Sequence, residues 1–91
     1  MIYKMLINGA WVDAHNGGTW DVINPATGEP VATVPFGDEA DAYQAIEAAR
    51  QAQPVWAGMT AYERGTILQR TAALIRERLD SLAPIMTRES G

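Results

Sequence analysis

Apolar residues come in short bursts as far as Phe36 and then recur at helical spacing. Tyr3-Lys4-Met5-Leu6-Ile7 reads as a short strand. Asn8-Gly9 follows it, the strongest two-residue hairpin signal, because a type I′ turn needs φ > 0 at both central positions. Ala10-Trp11-Val12 is the return strand, and His15-Asn16-Gly17-Gly18 lies in a flexible surface connection. Trp20 to Ile23 is a third strand, and Pro30 or Val31 to Phe36 a fourth. Between them Pro25 pushes Asn24 towards an extended conformation, and Thr27-Gly28 tolerates φ > 0. Pro35 marks an edge or a strand end, since it has no N–H for a ladder.

The period changes at Gly37-Asp38. Asp38 can cap a helix, and Asp41 stands three residues on, a weak capping box because Asp is shorter than the preferred Glu. Tyr43, Ile46, Ala49 and Gln53 recur at helical spacing, and Pro54 should end this helix at or near Gln53. Thr60-Ala61-Tyr62-Glu63 fits the Ser/Thr-x-x-Glu capping box of a second helix. Ile67, Leu68, Thr71, Leu74, Ile75, Arg78 and Leu79 form its apolar stripe with a polar edge. Arg64, Arg70, Arg76 and Glu77 are expected to face solvent or salt-bridge partners. Asp80 is the expected cap of a third helix, with a first turn loosened by Pro84 and a stop at Gly91. The pattern therefore predicts an α+β segment: four short antiparallel strands within residues 1–36, then three helices within 38–91.

Composition narrows the function classes. A chain of 91 residues is one domain or less. Its net charge of −4 disfavours nucleic acid or an anionic membrane as partner. There is no cysteine, which removes disulfides, thiolate catalysis and cysteine-ligated zinc from these residues. The opening Met1 to Ile7 is too short for a signal sequence, and no apolar run approaches the ~20 residues needed to span a bilayer. The expectation is a soluble, cytoplasmic chain with no nucleic-acid and no membrane partner.

Local chemistry is sparse. Asn8-Gly9 and Asn16-Gly17-Gly18 are better read as turns than as phosphate cradles, because no Gly-x-Gly-x-x-Gly or Walker pattern surrounds them. His15 is the only histidine, lies in a Gly/Asn loop without a paired acid or nucleophile, and reads as an exposed residue with no catalytic role. Asp38, Glu39 and Asp41 could be taken for a cation site, but at a helix start capping explains them better. Trp11, Trp20 and Trp56 read as core or interface anchors. By residue chemistry alone, no active site is recognisable.

The motifs carry more than the chemistry. Leu6-Ile7-Asn8-Gly9-Ala10-Trp11-Val12, Val22-Ile23-Asn24-Pro25-Ala26-Thr27-Gly28-Glu29 and Val31-Ala32-Thr33-Val34-Pro35 resemble the start of an NAD(P)-dependent aldehyde dehydrogenase. Ala45 to Arg50 with Pro54-Val55-Trp56 resembles that family's first helix, and Glu63-Arg64 with Ile67 to Arg70 its second. Leu82-Ala83, Met86-Thr87 and Glu89-Ser90-Gly91 resemble the third. Met86 to Gly91, taken with Thr60-Ala61 and Glu63-Arg64, is most similar to the succinate-semialdehyde branch, with lactaldehyde- and betaine-aldehyde-type members close to it.

The resemblance implies part of an α/β dehydrogenase fold. It also implies a parent reaction in which a cysteine thiolate attacks an aldehyde, hydride passes to NAD or NADP, and water releases the acid. Family members are several times longer, and their catalytic cysteine, general-base glutamate, oxyanion asparagine and nucleotide-binding strands fall beyond the residues matched here. The segment is thus expected to be structural and inactive alone, to bind neither NAD nor NADP by itself, and to contain no catalytic residue. Its expected partners are the remainder of the dehydrogenase chain and, through it, a homo-oligomer. In several members a main-chain carbonyl just before the Asn-Pro pair helps hold Na⁺ or K⁺; here that is Ile23, with Val22 beside it. From a different class, an independent non-catalytic self-association module is the alternative, motivated by an apolar helical stripe larger than four short strands can cover.

Overall fold

Asn8 and Gly9 both adopt positive φ, 52° and 75°, as a type I′ turn demands. They join β1 (Met5–Ile7) to β2 (Ala10–Val12) in an antiparallel hairpin. A second antiparallel hairpin pairs β3 (Thr19–Ile23) with β4 (Pro30–Pro35). Three helices follow: α1 (Glu39–Gly58), α2 (Ala61–Glu77) and α3 (Leu79–Ser90). The computed structural model describes residues 3–91; Met1 and Ile2, where the apolar opening begins, lie outside them. The expected α+β order is what forms, with the strands divided between two two-stranded sheets. Tyr3 donates its N–H to the Thr33 carbonyl at 3.0 Å, which ties the start of the first hairpin to the second.

Asp41 joins the strand half to the helix half. Its carboxylate accepts the N–H of His15 with both oxygens at 3.0 Å and the N–H of Asp38 at 2.9 Å. The Asp38 carboxylate in turn accepts the Asp41 N–H at 3.1 Å, so the capping box is complete despite the shorter side chain. Asp41 is buried, and the loop after β2 is thereby fastened to the first turn of α1. Thr60 and Glu63 form the second capping box, as their spacing predicts.

The structure corrects four sequence-based expectations. First, α1 does not stop at Gln53; it runs past Pro54 to Gly58. Its last turn is held from outside: Arg64 donates to the carbonyls of Met59 at 2.8 Å, Ala57 at 3.4 Å and Trp56 at 3.5 Å. A cation at the negative end of the dipole satisfies carbonyls that the helix leaves open. Second, Arg64 therefore faces the α1–α2 joint rather than solvent or a carboxylate. Third, Asp80 caps nothing, because α3 begins at Leu79 with Arg78 in the cap position. Arg78 also closes α2, donating its N–H towards Leu74 and Ile75 while its carbonyl accepts from Ser81 and Leu82. With one residue serving both helices there is no room for a side-chain cap. Fourth, Pro84 falls in the second turn of α3, not the first.

The segment does not enclose a core of its own. Among the described residues the buried apolar side chains are only Ala14 and Ala32. The α2 stripe is open: Leu68 is 60% and Ile75 53% exposed. Trp11 and Trp20 are exposed too, so they are not core residues here; Trp20 instead stacks on Phe36 with ring centroids 5.5 Å apart. The radius of gyration is 16.6 Å, against ~12 Å for a compact domain of this length. Surface area is 7319 Å², against about 5,200 Å² for a folded monomer of this mass. The molecule is a slab with extents of 47 × 34 × 16 Å.

Replacing Arg64 with Met keeps the stem and removes the donors. Arg64→Met should lower unfolding free energy by about 1–2 kcal/mol. Amide exchange at Trp56 to Met59 should accelerate more than exchange in the first turn of α1; equal protection in both turns would contradict the clamp.

Candidate functional site

Two places gather polar groups from separate parts of the chain. The first lies around His15. Its ring Nδ1 stands 3.2 Å from the Asp38 carboxylate, so the acid that sequence reasoning did not find beside His15 is supplied by the α1 cap. A His–Asp pair suggests general-base chemistry, but Asp38 is already committed to capping Asp41. Its carboxyl is held below the ordinary value of 3.8, first by the Asp41 N–H and then by the His15 ring. The arrangement fixes the loop from Asp13 to Gly18 on the helix start. Among the described residues no group of three or more His, Cys, Asp or Glu side chains is placed to hold a metal ion. Asp38 and Asp41 form the capping box at the start of α1, and Glu39 lies in the same first turn.

The second place is the turn after Ile23. The β3–β4 register slips between Val22 and Ile23, and Ile23 then stands opposite Pro30. Pro30 has no N–H to offer the Ile23 carbonyl. Asn24 organises the turn with three of its groups. Its N–H donates to Glu29 at 2.9 Å, its carbonyl accepts from Gly28 at 2.8 Å, and its side-chain oxygen accepts from Ala26 at 2.9 Å. Gly28 has φ 75°, the left-handed conformation expected of Thr27-Gly28. Gly91 packs against this turn: a Cβ there would lie 3.1 Å from Pro25 Cγ and 3.2 Å from the Ala26 nitrogen. Val22 is half-buried and Ile23 exposed; Asp21 precedes them, and its carboxylate accepts from the Thr33 hydroxyl at 3.0 Å.

An open groove of about 380 Å³ runs between the first hairpin and α1, bordered by Ile7, Val12, Gln44 and Glu47. It holds no nucleophile–base pair. Sequence reasoning missed Arg64 and the His15–Asp38 pair. Neither had a local signal, because the carbonyls and the acid they meet belong to other elements.

A sequence model of the aldehyde dehydrogenase family matches residues 11–91. The fold is similar to an NADP-dependent enzyme of E. coli, with 45% identity and a TM-score of 0.92 over 97% of this chain. It is similar to an NAD-dependent aldehyde dehydrogenase of Sinorhizobium meliloti, with 37% identity and a TM-score of 0.92 over 98%. It is also similar to a succinate-semialdehyde dehydrogenase of Burkholderia pseudomallei, with 41% identity and a TM-score of 0.89 over 94%. The chain spans 18% of the length of each of these three.

Asp38 sets a pH dependence. A carboxyl held below its ordinary value stabilises the fold above 3.8, and that contribution disappears as pH falls through the lowered folded-state value. The unfolding midpoint of the protein should therefore exceed that of Asp38→Asn at neutral pH. The gap should close on the acid side of 3.8, and a gap unchanged down to full protonation would contradict the assignment.

Proposed function

The chain belongs to the aldehyde dehydrogenase family, and from that premise we propose that it is the N-terminal, non-catalytic segment of an enzyme oxidising an aldehyde or semialdehyde to the carboxylic acid. The parent takes NAD or NADP, and this segment alone binds neither. The observation that carries the reading is the open slab: a radius of gyration of 16.6 Å with only Ala14 and Ala32 as buried apolar side chains. Such a surface is a layer of a larger core. Its partner is the remainder of the dehydrogenase chain, which covers Ile67, Leu68, Leu74 and Ile75 of α2. The assembled enzyme is a homo-oligomer. An independent self-association module finds no support in the comparisons.

The branch is the succinate-semialdehyde one. Met86-Thr87-Arg88-Glu89-Ser90-Gly91 supports it, as does the likeness to the Burkholderia enzyme. The parent works in the cytoplasm; no helix among the described residues is long and apolar enough to cross a membrane. The carbonyl of Ile23, with that of Val22, contributes to a Na⁺ or K⁺ shell whose other oxygens come from outside these residues. The register slip opposite Pro30 supports this, since a hard cation takes main-chain oxygens.

The purified 91-residue chain should reduce neither NAD⁺ nor NADP⁺ with succinate semialdehyde or other aldehydes. Mixed with a polypeptide carrying the rest of a related dehydrogenase, it should lose the exposure of the α2 stripe to hydrophobic dyes. Turnover by the chain alone, above a contaminant control, would sink the structural role. Unchanged dye binding in the mixture would sink the docking.

A further inference from the structure

The sequence contains the asparagines Asn8, Asn16 and Asn24, and the first two precede glycine. An Asn-Gly pair can modify itself. The glycine nitrogen loses its proton and attacks the asparagine Cγ, so that a nitrogen–Cγ bond forms and the Cγ–Nδ2 bond breaks. Ammonia leaves with the proton. Water then opens the cyclic imide at either carbonyl, giving aspartate or isoaspartate. Glycine permits the close backbone approach that a side chain would obstruct. Asn24 is exempt because Pro25 has no N–H and its nitrogen cannot become the nucleophile.

Tertiary structure separates the remaining two. At Asn16 both reacting groups are engaged. Gly17 donates its N–H to the carbonyl of buried Ala14 at 2.9 Å, and the Asn16 side-chain oxygen accepts from Gly18 at 2.8 Å. The loop is pinned on one side by His15 to Asp41 and on the other by Phe36 to the Gly18 carbonyl. At Asn8 no such anchors exist among the described residues. The residue is exposed, and among the described residues neither its carboxamide nor the Gly9 N–H makes a hydrogen bond. Nothing lies within 4 Å of the space beside the Gly9 Cα. The left-handed turn must open before attack, and it is closed by strands of three residues each, a pairing that is marginal by itself, and by an exposed Lys4–Asp13 ion pair at 3.4 Å beyond them.

We propose that Asn8 is a site of spontaneous conversion to aspartate and isoaspartate, and that Asn16 is protected by its docking on α1. The consequence is local and directional. Isoaspartate lengthens the main chain within the turn, and the new carboxylate shares a groove with Glu47. Like charge there repels the hairpin from α1. The chemistry is independent of the parent's reaction.

The test is to incubate the folded protein in mildly alkaline buffer and follow each asparagine by peptide mapping, with an isoaspartate-specific methyl-transfer assay. Conversion at Asn8 should run several-fold faster than at Asn16. In Asp41→Ala, which releases the loop, the Asn16 rate should rise while the Asn8 rate stays unchanged. The wild-type ratio decides alone if that variant fails to fold. Conversion at Asn16 as fast as at Asn8 in the folded wild type would overturn the proposal. So would an intact Asn8 under conditions that convert a free peptide of residues 6–11.

Discussion

The carboxylate of Asp41 is the contact on which the rest of the architecture depends. It accepts N–H groups from His15 and Asp38, closes the first turn of α1, and is itself buried. An ionised acceptor bonding amide donors is stronger than a neutral pair. Removing it leaves part-buried N–H donors without their carboxylate partner, a loss beyond that of the bond itself. The two hairpins do not share a sheet, so such ties between distant segments hold the architecture together. The clasp also decides chemistry at a distance, since the loop it anchors contains Asn16.

A second constraint is size against shape. A chain of this length must bury most of its apolar surface to stand alone. This one spreads that surface over a slab and leaves large side chains such as Leu68, Ile75, Trp11 and Met86 open. Its helices persist because their ends are well served: capping boxes start α1 and α2, and Arg64 holds the last carbonyls of α1. Local satisfaction of backbone groups thus supplies order where core packing is thin. The membership in a family whose solved members are several times longer gives that thinness a physical meaning. On the proposed reading, the remainder of the dehydrogenase chain covers the open faces.

The Asn24–Pro25 turn shows how a proposed site can lie outside a search of side chains. All the polar groups of Asn24 that the turn uses are spent on holding its shape. The proposed cation ligand is the Ile23 carbonyl, which the register slip sets opposite a proline that cannot donate. A side chain at Ile23 matters only for packing, so the residue type says nothing about the oxygen.

By itself the sequence determined what depends on neighbours in the chain. Asn8-Gly9 specified a turn with both φ values positive, Gly28 the left-handed residue of the next turn, and Thr60 with Glu63 a helix start. Periodicity gave the strand–helix order, and ordered motifs gave the family. Tertiary structure alone decided what depends on groups distant in sequence. Pro54 did not end α1, and beyond it a guanidinium from α2 bonds the carbonyls of the helix end. His15 met an acid because Asp38 lies 23 residues on, at the start of another element. The two Asn-Gly pairs are alike as text and differ in their anchors. Short-range rules set backbone conformation through sterics and local hydrogen bonds, whereas burial and long-range pairing are set only when the elements meet.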